Sequence, residues 1–422
     1  MTNAFLAHPG VPGRTGGQGH QRRRRLVGCA FSITMLATVA FAPSARAATL
    51  YVDAAAASAA PGTGCGAAAA YTQICAAPGP GTGTPCAAGS ALAAANPGDI
   101  IQVCAGTYNE IIEISTSNVT LQGAMAGVPA GPDATPAGRG TGESVIVGQT
   151  TSAIHLAVGG ITGSVIDGFT IQSGNFPAIH DNPNGLSASH VWANNIIVGS
   201  PSCGPAAISL NRINGTQILN NNLRGCTWAI SVQSGNPADA PSLIEGNYIV
   251  DNSPTAGAII MSANNAAGHT ISENLIEGTG SGMILGCAGL QITDNTVRNR
   301  GTAIFLHTNA NGATITGNDL INDSNGVRQS IIFGPYTLGT LNEVHYNNIE
   351  GSTFFGARNE VTPGDQDIVA TCNWWGSADG PFPTGSGDEV TAGVELVPWL
   401  VAPAPGGART GGLACSSEVV CA

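Results

Sequence analysis

Two histidines and an aspartate occur in one short stretch of the chain, at His180, Asp181 and His190. Imidazole and carboxylate groups act as general bases and acids. Arg212 and Arg224, further along, carry the cation that binds an anionic substrate. Residues of these types also occur as ordinary loop residues, and shared position indicates a catalytic site only where pKa values are perturbed. We favour the interpretation that they are ordinary loop residues, and a catalytic site is the alternative.

A second group of candidates lies nearer the carboxyl end. Arg298 and Arg300 follow the segment ITDNTV, and His307 follows the segment AIFL. These three residues offer polar contacts for an anionic sugar. The alternative, which we favour, is that the arginines offset a strongly acidic surface.

The spacing of metal-ligand residues follows no metal-binding pattern. Asp319, Asp323 and Asn325 do not fit the Asp-x-Asp/Asn-x-Asp/Asn-Gly rule of a calcium loop, and no run of the Gly-Gly-x-Gly-x-Asp repeat occurs. None of the 11 cysteines has the CxxC spacing or the histidine pattern of a zinc site. We expect no metal site and no cofactor; Ca²⁺ is compatible with the acidic residues, but no motif indicates it.

The charge of the chain argues against nucleic acid as a partner. It has 26 acidic residues, 14 arginines and no lysine, for a net charge of −12. Affinity for nucleic acid depends on Lys and Arg neutralising phosphates. Only 9% of the residues are charged, which also argues against long helices, whose exposed faces need Glu, Lys and Arg.

The first 47 residues have the pattern of a signal peptide. Residues 22–25 are four arginines, residues 26–42 are mostly apolar, and Ala-Arg-Ala at 45–47 fits a cleavage site. The mature chain would carry a net charge of −18, because six arginines and no acidic residue precede the cut. We expect an exported protein that is secreted, periplasmic or on the cell surface, with no membrane span in the mature chain. Its ten remaining cysteines, an even number, indicate a disulfide framework.

A short motif recurs along most of the chain, with the form aliphatic-x-x-Asn-x-aliphatic. Examples are ITDNTV (292–297), ITGNDL (315–320) and VHYNNI (344–349). The asparagines that align are Asn194, Asn221, Asn247, Asn274, Asn295, Asn318 and Asn347, and Asn373 of CNWWG continues the series. A second segment follows each asparagine, as in AISL (207–210), GMIL (282–285), AIFL (303–306) and SIIF (330–333).

These short β-branched runs, bounded by turn residues, predict a solenoid of parallel strands. Equivalent residues then stack ~4.8 Å apart. Stacked asparagines would bond amide to amide at a bend of each coil, and we expect Asn274 and Asn295 to be buried there. The same alignment places Cys203 almost above Cys226, so we expect these two cysteines to form a disulfide.

The stretch GDIIQVCAGTYNEIIEISTSNVTLQG (98–123), the asparagine-bearing coils and the ending CNWWGSADGP (372–381) resemble secreted bacterial proteins of the pectin-lyase-like superfamily. The resemblance covers about residues 49–400. It implies an all-β fold, a right-handed parallel β-helix solenoid with a Cys-rich N-terminal cap. We divide the chain into a signal peptide (1–47), an N-terminal cap and lead-in (48–97), the parallel β-helix (98–381), a closing segment (382–400) and a Pro/Gly-rich tail (401–422).

The resemblance implies particular catalytic residues, and most of them are missing. The polygalacturonase-like enzymes have adjacent aspartates, a Gly-His-Gly and an Arg-x-Lys, and this chain has none of these. Lyases that use a lysine base are excluded, because no lysine is present. Pectate-lyase-like enzymes that use arginine with Ca²⁺ are still compatible, although their surrounding motifs are not visible, and a divergent enzyme can use His or Tyr as its base. Whether the chain is an enzyme stays open; if it is, we expect a polysaccharide lyase without a lysine base.

Two tryptophans stand side by side in CNWWG. Trp375 occupies the closing aliphatic position of the last repeat, where a bulky side chain would cover the open end of the core. Trp374 would then point outward or lie under the C-terminal tail. A sugar-stacking platform at Trp374 is the alternative.

One column of residues predicts a binding surface. Alternation within the second segments points Ile260, Ile284, Phe305 and Ile332 outward on successive coils, with His307 and Arg300 nearby. An exposed apolar stripe marks a binding groove or a surface that the chain covers itself. We therefore expect an exported, non-catalytic protein that binds a polysaccharide or a cell-surface macromolecule along its long face; the alternative is a polysaccharide lyase or related polysaccharide-modifying enzyme.

Overall fold

The protein is described by a computed structural model, in which the described residues belong to one compact unit. The structure describes residues 47–404 with gaps at 56–63, 67–70, 76–85, 136–138, 141, 149–151, 157–159, 174–175, 182–186, 200–205, 233–238, 251–255, 262–267, 308, 331–339 and 362–365. The expected signal peptide, apart from its last residue, and most of the expected tail lie outside the described residues.

The described chain winds through three parallel sheets, in which each strand pairs with its equivalents in the coils before and after it. Sheet A contains thirteen strands: Thr49–Val52, Ile100–Val103, Thr120–Gln122, Val165–Asp167, Val191–Ala193, Gln217–Leu219, Leu243–Glu245, Thr270–Ser272, Gln291–Thr293, Thr314–Thr316, Asn342–His345, Ile368–Val369 and Val394–Glu395. Sheet B contains ten: Gly106–Tyr108, Ser144–Val147, Phe169–Gln172, Ile196–Val198, Asn222–Arg224, Tyr248–Val250, Leu275–Glu277, Thr296–Arg298, Asp319–Ile321 and Asn348–Glu350.

Sheet C also contains ten strands: Ile112–Ile114, Ile154–Leu156, Ile179–Asp181, Ala206–Leu210, Trp228–Val232, Gly257–Met261, Ser281–Leu285, Thr302–His307, Asn325–Ser330 and Phe355–Asn359. The pair Pro381–Phe382 and Gly387–Glu389 closes the carboxyl end. The described part includes a four-residue helix, Ala91–Ala94, and no helix there is long and apolar enough to cross a membrane.

The chain is a parallel β-helix. Ten coils each contribute one short strand to each sheet, and the inward residues are mostly aliphatic, so that Ile249, Ile271 and Ile304 are fully buried in one continuous core. The all-β solenoid expected from the sequence is confirmed. The strand Thr49–Val52 already pairs with Ile100–Val103, so sheet A begins before the expected residue 98, and it continues to Val394–Glu395, beyond the expected end at 381.

A ladder of buried asparagines lies at the corner that follows sheet A in eight successive coils. Its members are Asn195, Asn221, Asn247, Asn274, Asn295, Asn318, Asn347 and Asn373, each at most 1% exposed. In each step the Oδ1 atom of one asparagine accepts from both the backbone N–H and the Nδ2 of the asparagine before it; Asn274 donates to Asn295 at 3.0 and 2.9 Å. The Nδ2 of Asn295 also donates to the carbonyl of Ile271, 2.9 Å away. The predicted asparagine ladder is confirmed.

The ladder begins one residue later than the alignment of VWANNI predicts. Asn195 is its first member, and Asn194 is the residue before it, with a φ of 56°. The residue before every ladder asparagine has a positive φ, as at Glu273 and Tyr346. Left-handed backbone is costly for a residue other than glycine. The bonds of the ladder hold the chain in it, and Asn194 itself suits the position because asparagine tolerates that conformation.

A second polar ladder lies at the corner before sheet A. The backbone N–H of Ser164 donates to Nδ1 of His190 at 3.3 Å, and the N–H of Ser242 donates to Nδ1 of His269 at 3.1 Å. At the equivalent position Oδ1 of Asn342 accepts from the N–H of Ala313 at 2.9 Å. An accepting Nδ1 requires a neutral imidazole, and burial lowers the pKa of His190 to about 4.

Disulfides tie the N-terminal region to the first coils. Cys65 bonds to Cys104, with 5.7 Å between Cα atoms, and Cys75 bonds to Cys86, with 4.6 Å. Cys226 and Cys372 are also disulfide-bonded, and Cys287 is a buried thiol. Cys203, the predicted partner of Cys226, lies outside the described residues. Disulfide bonding itself is therefore confirmed, and the Cys203–Cys226 pair stays a prediction.

Trp375 closes the core at the carboxyl end. It is fully buried, and a Cβ atom added at Gly356 would lie only 3.0 Å from Trp375 Cε3. Trp374 is 9% exposed, and its Nε1 donates to Glu350 at 3.0 Å. Ala404 forms two hydrogen bonds with the side chain of Asn348, the residue with which Trp374 pairs. The capping interpretation of Trp375 agrees with this geometry, and Trp374 is too buried to be a sugar platform.

We predict that Asn295→Ala lowers the free energy of unfolding by about 1–3 kcal/mol, because it leaves the buried backbone N–H of Asn274 without its acceptor and removes the Nδ2 bonds to Asn318 and Ile271. Chemical denaturation of the wild type and the variant measures the difference. Thr293→Val, at a partly exposed position of the same coil, serves as the control and should change it by less than about 0.5 kcal/mol. Equal effects of the two substitutions would contradict a stabilising ladder.

We predict that His190→Asn makes stability less sensitive to acid. Because the pKa of folded His190 is about 4, below that of an unfolded histidine, the unfolded chain binds more protons as the pH falls from about 6.5 to 4, and the folded state loses stability. Asparagine accepts the same kind of bond at position 342 without titrating. Burial raises the pKa of Asp181 to about 6, which acts in the opposite direction but equally in both proteins. The measurement is denaturation at pH 7 and pH 4.5; the variant should lose less stability than the wild type.

Candidate functional site

The outer face of sheet C carries one side chain per coil in exact vertical register. We call this set the sheet C column; from the amino to the carboxyl end it consists of Glu113, His155, His180, Ser209, Ser231, Ile260, Ile284, Phe305, Arg328 and Arg358. The residues on either side of each member face the core, as Ile259 and Met261 do around Ile260. The column is polar at its amino end, apolar in the middle and basic at its carboxyl end.

The structure corrects the last apolar member predicted from the sequence. The strand that follows Thr302–His307 in sheet C is Asn325–Ser330, so Arg328 pairs with Phe305 and not Ile332. Ile332 lies outside the described residues. The alignment failed because SIIF has the aliphatic pattern of the other strands, whereas the true strand, NGVRQS, has a single aliphatic residue, Val327.

Phe305 is less accessible than an open apolar stripe requires. Ile260 and Ile284 are partly exposed, but Phe305 is only 5% exposed. The guanidinium carbon of Arg328 lies over its ring, 4.6 Å from the centroid. Phe305 and Arg328 therefore form a cation–π pair at the end of the predicted stripe, and the arginine is the member that faces solvent.

His307 and Arg300 were predicted to add polar contacts, and both are buried. His307 is 5% exposed, and its ring leaves no room for a Cβ atom at Gly286, which would be 2.5 Å from Cε1. Burial lowers the pKa of His307. His307 lies on the same face as Phe305, with ring centroids 6.2 Å apart, so it belongs to the packed side of the surface.

Arg300 braces the corner between sheets B and C. It is 2% exposed, its Nη1 donates to the carbonyl of Thr279 at 2.7 Å, and its Nη2 donates to the carbonyl of Glu277. Its backbone N–H donates to Asp323 at 2.6 Å. Burial raises the pKa of Asp323 to about 8. These contacts connect three coils, so the role of Arg300 in the described structure is to hold backbone carbonyls.

The basic end of the column is built from two arginines that share one carboxylate. Arg328 and Arg358 each form an ion pair with Glu360, at 2.8 and 2.7 Å. Burial acts to raise the pKa of Glu360, but the hydrogen bond from Arg328 and the charges of both arginines hold it below its usual value. The group carries one net positive charge on a chain that is otherwise strongly acidic.

Trp228 is a surface residue that the sequence reasoning missed. It lies at the start of its strand, is partly exposed, and covers the next coil at Gly257, where an added Cβ atom would be 2.8 Å from Trp228 Cζ3. The glycine therefore leaves room for the indole to lie against the sheet. The available signal was the pair Trp228 and Gly257 at equivalent positions of the repeats GCTWAISV and TAGAIIM.

Two histidines lie edge to face at the polar end of the column. The rings of His155 and His180 have centroids 5.0 Å apart and an interplanar angle of 79°. Burial, together with the charge of His180, lowers the pKa of His155 to about 4, and burial lowers the pKa of His180 as well. Both imidazoles are therefore neutral at pH 7.

The other early candidates do not share this face. His190 belongs to the corner ladder before sheet A. Arg212 forms an ion pair with Asp239, and Arg224 lies on sheet B, where its Nε donates to Asn222 at 2.7 Å. Asp181 is 1% exposed. The structure thus distributes the predicted group over three surfaces and leaves His180 on the sheet C column.

Comparison with known proteins gives one family match. Residues 141–334, less than half of the chain, match the model of a family described as periplasmic copper-binding protein (NosD). No curated protein matches the sequence. Copper in proteins is bound by His, Cys and Met side chains. The described residues contain no group of three His, Cys, Asp or Glu residues that could hold a metal ion.

Two solved structures have similar chain paths. Pectate lyase Pel9A has 14% sequence identity and a TM-score of 0.45, with 81% of this chain and 82% of that chain covered. The A-module of the Azotobacter vinelandii mannuronan C-5 epimerase AlgE6 has 12% identity and a TM-score of 0.32, with 71% and 91% covered. Neither likeness bears on activity.

We predict that Phe305→Ala lowers the free energy of unfolding by about 3 kcal/mol, because it removes a buried ring and the surface on which Arg328 rests. Ile284→Ala, one coil earlier and partly exposed, is the matched comparison and should cost less. Chemical denaturation measures both. A Phe305 variant as stable as the wild type would mean that the ring makes no buried contact in solution.

Proposed function

We propose that this protein is an exported, non-catalytic β-helix that binds a glycan along the outer face of sheet C. The observation that carries the proposal is the partly exposed indole of Trp228, which lies against Gly257 three residues along the strand from the column member Ser231. Indole rings stack on the apolar faces of sugars while their N–H can bond to a hydroxyl.

The shape of the surface favours a chain-like ligand. Successive members of the sheet C column are ~4.8 Å apart, so the part from Ser231 to Arg358 extends for ~24 Å along the axis. Ile260 and Ile284 offer apolar contacts in the middle. Arg328 and Arg358 offer hydrogen-bond donors at the far end. A polymer that runs across the coils meets these groups in that order.

The location of the protein follows from the signal-peptide pattern in residues 1–47 and is supported by the family match, whose description is periplasmic. Disulfides at Cys65–Cys104 and Cys75–Cys86 also suit an oxidising compartment. We propose a periplasmic or extracellular protein and not a cytoplasmic one.

The lyase alternative has less support. Its base and its arginine would have to meet at one place on the surface, but Asp181 is 1% exposed and Arg212 is paired with Asp239. His180 is on the sheet C column, so a reaction there would use an imidazole as its base. A lyase assay that follows unsaturated products by ultraviolet absorbance, on the same glycans used for binding, separates the two functions.

We predict that Trp228→Ala weakens glycan binding at least tenfold, because it removes the stacking surface. A glycan array identifies the ligand, and calorimetry with that ligand measures the affinity of each variant. Trp228→Phe should retain part of the affinity. The control is Phe382→Ala, an aromatic residue that is 51% exposed in the closing segment, and its affinity should equal that of the wild type.

Three outcomes would contradict the proposal: no binding to any glycan of the array, equal affinity in Trp228→Ala and wild type, or equal losses in the Trp228 and Phe382 variants. Release of unsaturated products would show that the protein is a lyase and would contradict a non-catalytic function. A thermal melt of each variant, recorded alongside, shows whether a loss of affinity reflects unfolding.

A further inference from the structure

Two partly exposed aromatic side chains, Trp228 and Phe355, occupy equivalent positions five coils apart on sheet C. They belong to a set that we call the corner row, because each member begins its strand at the corner that leads from sheet B. The pairing of successive strands places the members in one register: Trp228, Gly257, Ser281, Thr302, Asn325 and Phe355. The row lies beside the sheet C column, three residues earlier on each strand.

The corner row lies at the rim of the core. The residue after each member is buried, and two of these residues are glycines that stand against the core of sheet B. A Cβ atom added at Gly282 would lie 2.9 Å from Cγ1 of Val297, and one added at Gly326 would lie 2.7 Å from Cγ2 of Ile349. The core therefore begins just after the row, and the partly exposed members of the row reach solvent.

Between the two aromatic rings the row is low and polar. Ser281 is partly exposed, whereas Thr302 and Asn325 are 5% and 7% exposed, and Nδ2 of Asn325 donates to Oγ1 of Thr302 at 3.2 Å. The Oδ1 atom of Asn325 has no hydrogen-bond partner in the described part of the chain. A buried acceptor without a partner costs free energy, which a donor hydroxyl of a ligand on the row recovers.

We propose that the ligand is a linear, uncharged glycan that lies along the corner row, with one sugar stacked on Trp228 and another on Phe355. This inference rests on the glycan-binding function proposed above and names the class of glycan. Five strand spacings, or ~24 Å, separate the two residues, and one spacing is close to the length of a pyranose unit in an extended chain. A chain of about six units therefore spans both rings, and a shorter oligomer reaches only one of them.

The charges of the surface favour an uncharged chain. No member of the row is charged. The nearby Arg358, whose guanidinium carbon lies 5.3 Å from the centroid of the Phe355 ring, is ion-paired with Glu360 at 2.7 Å. The chain as a whole has a net charge of −12, which repels polyanions. Stacking of a sugar on an aromatic ring needs no charge on the sugar.

The test measures affinity as a function of glycan length, on the mature exported protein. Calorimetry uses β-1,4-linked oligomers of glucose, xylose and mannose, from the disaccharide to the octasaccharide. In at least one of these series the hexasaccharide should bind about tenfold more tightly than the trisaccharide, because only the longer chain reaches both rings. Phe355→Ala should abolish that gain and leave the affinity for the trisaccharide nearly unchanged. Phe355→Trp should keep the gain, and the control Phe382→Ala should behave as the wild type does.

Oligogalacturonates of the same lengths are the charged comparison and should bind more weakly than the uncharged oligomers. Four outcomes would each overturn this inference: no binding by any of the three uncharged series, equal affinity for the trisaccharide and the hexasaccharide, a gain with length that Phe355→Ala retains, or tighter binding of oligogalacturonate. Thermal melts show whether the Phe355 variants fold, and the length dependence of the wild type needs no variant.

The glycan array and Trp228→Ala test the glycan-binding function separately. A ligand that depends on Trp228 but is charged, or gains nothing from length, would support that function and contradict this inference. Absence of any ligand on the array would contradict both.

Discussion

The corner between sheets A and B depends on one interaction, the side-chain amide of an asparagine bonded to the coil after it. At that corner the backbone leaves the sheet, and its N–H groups would otherwise be buried without partners. Asn221, Asn274 and Asn318 are each at most 1% exposed, so water cannot replace the bond. The ladder also holds the preceding residue in a left-handed conformation, which Glu273 and Tyr346 would not adopt readily by themselves.

The alignment of the strands in sheet C follows from this constraint. In the coils that the ladder spans, each corner lies directly above the previous one, so the strands that follow also align, and their outward side chains form the column from Ser209 to Arg358. A change of residue in one coil therefore changes one step of the surface without shifting its neighbours. The fold can place imidazoles, aliphatic groups and arginines at successive levels of a single face.

Burial decides which of the polar residues belong to that face. Arg300 and Asp323 are inside a corner, where the arginine binds carbonyls and burial keeps the carboxyl pKa high. Arg328 and Arg358 are of the same residue type, but they lie on the sheet, share Glu360 and remain partly exposed. Arg300 and Asp323 stabilise the solenoid, and Arg328 and Arg358 are accessible to a ligand.

The sequence by itself determined the architecture. The recurring asparagine with its flanking aliphatic residues predicted the parallel coils and the ladder, and the position of Trp375 predicted a plug for the core. These features are local and repeated, so each coil provides independent evidence for the same structure. The sequence also supplied the acidic charge and the disulfide chemistry.

Only the tertiary structure decided the surface. In the structure the first ladder asparagine is Asn195 and not Asn194, and the column contains Arg328 in place of Ile332. Phe305, His307 and Arg300 are buried. Trp228 covers Gly257 of the next coil. The physical reason is that a strand's register and its exposure depend on the coils above and below it, which lie more than twenty residues away in the chain. A motif within one coil carries no information about which side chain from the next coil will lie over it.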